Sequence, residues 1–165
     1  MFKRGWLKDQ RGIEGLPMRL IIIVVIAGAV LVALLAMLGG ISFNKNMDVE
    51  CSKIEYNGKT YDGFAVPVDA TGSEEISGIS FTAHIYVYES GTNKPVEGAK
   101  VTISGAESGV GGFGSGKTDE NGLAIISVSG CTLPANYGEA QLKIEVTKSG
   151  YNKFIDLEGI KIVRT

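Results

Sequence analysis

Residues 20–38 read LIIIVVIAGAVLVALLAML, and none of these side chains is charged or strongly polar. A helix of about 20 apolar residues is long enough to cross the roughly 30 Å hydrocarbon core of a membrane. Helices buried inside soluble domains are more often shorter than this. The block therefore predicts a helix over residues 16–40 that lies in a membrane or in the core of a filament. Gly39 and Gly40 mark its C-terminal end, where glycine is common.

This apolar block differs from a removable secretory signal. The apolar part of such a signal has about 7–15 residues and is followed by small residues in an A-x-A-like pattern. Here the block is longer, and its end, Ala36-Met37-Leu38-Gly39-Gly40, is a poor site for ordinary signal peptidase. We therefore expect the helix to be retained.

Charge is distributed unevenly on the two sides of the block. Residues 1–40 carry five basic and two acidic side chains, whereas the rest of the chain is net acidic. Basic residues next to a membrane helix remain on the cytoplasmic side. We expect a single-pass protein of the cell membrane, in contact with membrane lipid, with a cytoplasmic N-terminus and an extracellular C-terminal domain. An acidic exterior disfavours nucleic acid as a partner, because nucleic acid binds basic surfaces.

Cys51 and Cys131 are the only cysteines, and both follow the apolar block. The oxidising environment outside a cell permits a disulfide between them. The long loop that it closes would stabilise the domain by roughly 4–5 kcal/mol in the chain-entropy model. The alternative is that both are small buried apolar residues. Of the two, we expect the disulfide.

Beyond a short stem, the hydrophobic period changes to two, as it does in strands. Asn57-Gly58 supplies the positive φ angles of a tight type I′ turn, which predicts a hairpin between Cys51–Tyr56 and Lys59–Phe64. The clearest strand is 79–89, where apolar residues at odd positions from Ile79 to Val87 alternate with polar or aromatic residues at even positions. The predicted fold class is mainly β, with one N-terminal apolar helix followed by an antiparallel β-sandwich of about seven strands.

The pattern Gln10-x-Gly12-x-Glu14, with basic residues before it and the apolar helix after it, resembles the class III signal of archaeal type IV pilin-like proteins. The resemblance covers about residues 3–38 and implies that a prepilin-type peptidase cuts before Gln10. Residues 1–9 would be the leader, and Glu14 would be the fifth residue of the mature chain. In a filament of pilin-like subunits this carboxylate would pair with a neighbour's free N-terminal amine, because an unpaired charge in an apolar bundle is costly.

Pro17 and Arg19 favour a different interpretation, a plain membrane anchor that is not cleaved. Proline suits the first turn of a helix and disrupts its interior. Arginine is readily placed at a membrane surface, where its side chain reaches the headgroups, whereas inside a packed filament core it would need a partner. On this interpretation the helix starts near Pro17, and Arg19 lies at the cytoplasmic interface. The sequence leaves both interpretations open.

Three segments of the second half are similar, in order and spacing, to landmarks of a carboxypeptidase-regulatory-like domain: KPVEGAKVTI at 94–103, TDENGLA at 118–124 and KSGY at 148–151. The resemblance covers roughly residues 79–164. It implies a transthyretin-like, Ig-like sandwich that serves as an accessory, adhesive or spacer module without catalysis. We therefore divide the chain into a basic leader or signal region, a helix, a stem with a hairpin, and a sandwich: 1–15, 16–40, 41–78 and 79–165.

Two patterns suggest chemistry but lack the context that it needs. The stretch GGFGSGKT at 111–118 matches GxxxxGK[ST], yet a phosphate-binding loop needs a helix directly after it. Here Asp119-Glu120-Asn121-Gly122 and a strand follow, so we interpret 111–118 as a flexible glycine-rich loop and Asp119–Gly122 as a turn. The EF-hand spacing of acidic residues is also missing. With one histidine and no nucleophile pair, we expect no enzyme, metal site or cofactor.

His84, Tyr86 and Tyr88 share the polar face of the strand 79–89 and form an aromatic patch. Either the hairpin over 51–64 packs on this patch, or the patch contacts a partner, since tyrosine is common at interfaces.

Together these features predict an archaeal surface protein with a structural or adhesive role, whose partners are pilin-like subunits or an unknown surface protein or glycan. The competing hypothesis is a membrane-tethered binding module that never enters a filament.

Overall fold

The computed structural model describes residues 10–39 and 44–165, and it describes side chains from Pro17 onward. The chain divides into two compact units, of which the first contains a helix and the second is Asn44–Thr165. The described part of the predicted stem-and-hairpin segment belongs to the second unit, together with residues 79–165. The two units are therefore an apolar helix and one β domain.

Helix α1 spans Gln10–Gly39. It continues through Pro17, although proline has no N–H to give to the carbonyl of Ile13. The bounds therefore differ from the predicted 16–40 at the N-terminal side. Within Pro17–Gly39 the most apolar 18 residues have a mean hydropathy of 3.3, and the side chains of the whole segment are exposed. This length and composition suit both a membrane anchor and a signal sequence.

The β domain contains nine strands, and their order in the sheet is β2-β1-β4-β7-β6-β5-β8-β9-β3. All neighbouring strands are antiparallel except β3 and β9, which run parallel. The strands are β1 Met47–Tyr56, β2 Lys59–Asp62, β3 Ala65–Val68, β4 Ile76–Glu89, β5 Lys100–Gly105, β6 Gly111–Lys117, β7 Leu123–Leu133, β8 Glu139–Thr147 and β9 Phe154–Arg164.

This architecture confirms a mainly β domain after one N-terminal apolar helix, but the sheet is not the predicted seven-stranded sandwich. It is one nine-stranded sheet curled nearly into a barrel. The cause lies in the link between the two edge strands, because only Gly63 and Phe64 separate β2 from β3. So short a connection brings the two edges of the sheet together. The parallel pairing of β3 with β9, which starts at Ala65 and Lys161, then fixes the curl.

The core of the β domain is the inside of this curled sheet. The alternation predicted for residues 79–89 is confirmed in β4, where the odd-numbered side chains from Ile79 to Val87 are all buried. The neighbouring strands contribute their own alternate residues, as expected for a sheet with one buried face. The largest fully buried side chains are Ile54, Ile85, Ile103, Ile126, Leu133, Leu142, Ile160, Ile162, Val66, Val87, Val101 and Val110.

The hairpin predicted from Asn57-Gly58 is also confirmed. Asn57 has a φ of 50° and Gly58 a φ of 73°, the positive values that a type I′ turn requires. The turn connects β1 to β2, with Tyr56 opposite Lys59. Pro67 lies in β3, at the edge of the sheet, where a strand can tolerate a residue without an N–H.

The glycine-rich stretch at 111–117 is a strand, β6, and not the flexible loop that the sequence suggested. It pairs with β5 on one side and with β7 on the other. Two of its glycines are needed because the neighbours approach closely: a Cβ at Gly114 would lie 2.6 Å from the carbonyl oxygen of Ser127, and one at Gly112 would lie against Cys131 Sγ. Because glycines occupy the core-facing positions 112, 114 and 116, the stretch has no alternating apolar side chains, and the sequence hides the strand.

Candidate functional site

The aromatic patch lies on the outer face of β4, and the structure places its three members differently. His84 is only 9% exposed, and its Nε2 atom lies 3.0 Å from Oε1 of Glu55. The hairpin of β1 and β2 lies beside β4 in the same sheet, with Lys53 opposite His84. The hairpin thus covers His84 through the Glu55 side chain, while the patch as a whole is not packed beneath it.

Tyr86 and Tyr88 are half-buried and stack on each other, with ring centroids 5.9 Å apart and planes within 2° of parallel. Ile125 of β7, which lies opposite His84, adds an isoleucine that is 60% exposed. Sequence reasoning missed Ile125, although Ile125-Ile126 necessarily puts one isoleucine on each face of the strand. The outer face of β4 and β7 therefore presents a small apolar surface next to a histidine–carboxylate pair.

The predicted processing residues Gln10, Gly12 and Glu14 lie in the first turns of α1. Their side chains are outside the described part of the structure, so no contact of theirs is reported. The helix that contains them continues without interruption into the apolar segment Pro17–Gly39.

The predicted disulfide is not formed in the structure, where Cys51 and Cys131 are free thiols. The strand register gives the reason. Cys51 lies opposite Ile85 of β4, whereas Cys131 lies opposite Ile79 on the other side of the same strand. Six residues along β4 correspond to roughly 20 Å, and a disulfide needs Cα atoms within about 7 Å. The second interpretation, two largely buried apolar residues, describes their environment better.

Burial raises the pKa of the Cys51 thiol to about 12 and that of Cys131 to about 11. Because the thiolate is the reactive form, we expect both to react with a thiol reagent at about pH 8 at least about tenfold more slowly in the folded chain than in urea. In urea without reductant, we expect two thiols per chain. A thiol count of zero, recovered only after reduction, would contradict the free state.

Thr118, the last residue of the phosphate-loop-like pattern, has a structural role. Its buried hydroxyl donates to the carbonyl of Val96 and accepts from the N–H of Ala99 at 2.9 Å. Asp119 then forms a tight turn, since its carboxylate accepts the N–H groups of Asn121 and Leu123 at 2.8 and 3.0 Å. The turn leads directly into β7. Among the residues described, no group of three or more His, Cys, Asp or Glu is placed to hold a metal ion.

A cavity of the β domain lies where the barrel fails to close, between β1 and β9. We call it the slit. At one end, Lys45 joins the two strands through backbone hydrogen bonds to Gly150 and Asn152, at 3.1 and 2.8 Å. At the other end, the Gly63–Phe64 link bonds to Ser52 and Lys161, at 3.0 and 2.9 Å. The slit is therefore a closed-ended opening in the wall of the barrel.

The slit has a volume of about 850 Å³ and contrasting walls. Three apolar side chains pack against the core but are only partly buried, because no strand fills the slit beside them: Val49, Cys51 and Phe154. Around them lie the exposed apolar side chains of Phe64, Ile155 and Leu157. The charged residues that line the slit are all acidic, namely Glu50, Asp156 and Glu158.

A polar clasp, made of Lys45, Glu89 and Tyr151, holds the first end of the slit. Lys45 Nζ lies 3.1 Å from Glu89 Oε1, and the Tyr151 hydroxyl donates to Oε2 at 3.0 Å. The hydrogen bond from Lys45, and a smaller contribution from Tyr151, hold the pKa of Glu89 below its ordinary value. The clasp therefore stabilises the fold above the ordinary pKa of glutamate, and this contribution is lost as the pH falls through the lowered pKa.

Sequence reasoning did not find the slit, and one signal could have pointed to it. Strand β9 contains two apolar runs, 154–157 and 160–163, and residues 157–159 interrupt the alternation of apolar and polar side chains between them. In the structure β9 has two extra residues there, because Ile144 pairs with Asp156 while Leu142 pairs with Ile160.

Comparison of the chain with protein-family models, with curated proteins and with solved structures found no match.

Proposed function

We propose that this chain is a membrane-anchored extracellular protein with a pilin-like N-terminus and a structural or adhesive role at an archaeal cell surface. The observation that carries the proposal is the division of the chain into an apolar helix and a separate compact β domain. The helix is long enough to span a bilayer, and basic residues before it favour a cytoplasmic N-terminus.

The pattern of Gln10, Gly12 and Glu14 supports the pilin-like part of this proposal. All three lie in α1, so cleavage before Gln10 would leave a mature chain that starts as a helix and runs directly into the apolar segment. On this proposal a prepilin-type peptidase removes residues 1–9, and pilin-like subunits are partners in the membrane or in a filament.

The β domain supports a non-catalytic role. We propose that residues 79–165 are a carboxypeptidase-regulatory-like module, although two further hairpin strands and β3 extend its sheet. The landmarks of the resemblance lie in turns that the fold requires: Gly98, Gly122 and Gly150 have φ values of 69°, 75° and 84°. A surface protein or a glycan is the partner class that such a module suggests.

Pro17 favours the second candidate, a plain anchor that carries a binding module and never enters a filament. It lies within α1, where it removes one helical hydrogen bond. Subunits that pack helix against helix along a filament core would have to accommodate that defect. In a plain anchor Pro17 lies at the N-terminal end of the apolar segment, where water or headgroups can satisfy the freed carbonyl.

N-terminal sequencing of the full-length protein, purified from membranes of cells that contain a prepilin-type peptidase, distinguishes the two candidates. Processing predicts a chain that starts at Gln10. As a matched control, Gly12→Leu replaces the small residue of the pattern and should leave the leader attached. An intact Met1 in the unaltered protein would contradict pilin-like processing and leave the plain anchor.

A further inference from the structure

We propose that the slit between β1 and β9 binds an extended, basic peptide segment of another protein, which enters the barrel wall as an additional strand. This goes beyond the proposed function, because it concerns only the β domain and does not depend on cleavage of the leader. Strand addition to an open sheet edge is a recurrent mode of peptide recognition, in which main-chain hydrogen bonds supply the affinity.

The first argument is that both long walls of the slit are open strand edges. Among the described residues, β2 pairs with β1 only from Lys53 onward, and β3 pairs with β9 only from Lys161 onward. Lys45 directs its N–H and C=O away from β4, towards Gly150 and Asn152. Because this direction recurs at every second residue of a strand, Val49 directs its backbone groups into the slit.

The second argument is the direction of the two edges. The bridge between Lys45 and Tyr151 is parallel, so β1 and β9 leave it in the same direction. One inserted strand can therefore be antiparallel to both walls at once. The closed ends lie about six residues of β1 apart, roughly 20 Å. A segment of about five extended residues fits that length.

The third argument is that the slit lacks a cover for apolar side chains. Val49 and Phe154 belong to the inward-facing set, yet they are only partly buried, whereas Met47 of the same face is 4% exposed. An inserted strand would put every second side chain over them. The segment should therefore have apolar residues at alternate positions, which would cover Val49 and Phe154.

The fourth argument is charge, and it selects the remaining positions of the segment. The three carboxylates that line the slit face no basic side chain within its lining. Glu158 alone has a cation beside it, Lys161 Nζ at 3.4 Å, and that lysine also lies 3.8 Å from Glu139. Lysine or arginine at the outward positions of the segment would complement Glu50 and Asp156.

The test uses the full chain in nonionic detergent micelles and a fluorescent six-residue peptide of alternating lysine and valine. We expect saturable binding by fluorescence polarisation, and about tenfold slower amide exchange at Val49 on saturation. A peptide of the same sequence with its valine nitrogens methylated should bind about tenfold more weakly, because the backbone donors of the valines are lost. A peptide of alternating glutamate and valine should not bind.

Matched charge variants locate the site. Glu50→Lys should weaken binding of the lysine–valine peptide by about fivefold at low salt, whereas Glu97→Lys, an exposed acid outside the slit, should change it less than about twofold. Equal binding of the methylated peptide, equal effects of the two variants, or amide protection elsewhere would each overturn the proposal. So would self-association of the chain that the peptide does not displace, which would make a second copy the occupant.

Discussion

Replacement of Gly122 by alanine is expected to lower the stability of the β domain by about 3 kcal/mol, which corresponds to roughly 10 °C in the thermal midpoint. Gly122 has a φ of 75°, where an L-residue is strained by about 1–2 kcal/mol. Its new Cβ would also lie 2.6 Å from the carbonyl oxygen of Val87. That oxygen cannot retreat easily, because it accepts the N–H of Val96, and the N–H of Val87 donates to the carbonyl of Gly122.

Gly130→Ala is the matched control for this substitution. Gly130 has the same φ of 75°, but a Cβ there meets no atom within 4 Å. Only the backbone strain applies, so the expected loss is about 1 kcal/mol. Thermal unfolding of the full chain in micelles, followed by circular dichroism, measures both. Equal losses would show that the approach of Val87 to Gly122 costs nothing, contrary to the structure.

Gly114→Ala in β6 is expected to cost about 2–3 kcal/mol without any strain in φ. The added Cβ would lie 2.6 Å from Ser127 O and under 3 Å from methyl groups of Ile126 and Val128. Three neighbours of one strand would have to move together, which separates β6 from β7. The same measurement of thermal unfolding applies.

Gly116→Ala, two residues along on the same face, is its control. The nearest atom to a Cβ there is Cγ1 of Ile126 at 3.4 Å, which is an ordinary contact. We expect no loss, or a gain of up to about 1 kcal/mol, since alanine restricts the unfolded chain. If residues 111–117 formed a flexible loop, the two substitutions would have the same small effect, so a clear difference supports the strand.

Local patterns in the sequence predicted those parts of the fold that depend on neighbouring residues. The alternation of residues 79–89 specifies which side chains of β4 are buried, because the pleat puts alternate residues on opposite faces. Asn57-Gly58 specifies a turn, because few other pairs adopt positive φ at both positions. The apolar block specifies a helix, because it is long and contains no polar side chain.

The remaining features depend on pairings between distant segments. Nothing near Ala65 indicates that it pairs in parallel with Lys161, and this pairing changes a sandwich into a nearly closed barrel. The distance between Cys51 and Cys131 follows from their register on β4, which composition does not reveal. The slit also depends on distant segments, since it forms where β1 and β9 approach each other without pairing. For the aromatic patch, the alternation placed His84 on the outer face, but only the pairing of β1 with β4 brings Glu55 over it.

Tension applied to the chain from its N-terminal side enters the β domain at Lys45. From that point β1 extends along β4, antiparallel to it from Met47 to Glu55. A pull along β1 loads these hydrogen bonds in shear, so that many must break together, whereas a pull across a strand would open them one at a time. The clasp at Glu89 adds an ion pair at the same point of entry. Resistance to such a force depends on the unfolding rate and not on the equilibrium stability. A domain suspended from its N-terminal end in this way carries load along the antiparallel pairing of β1 with β4.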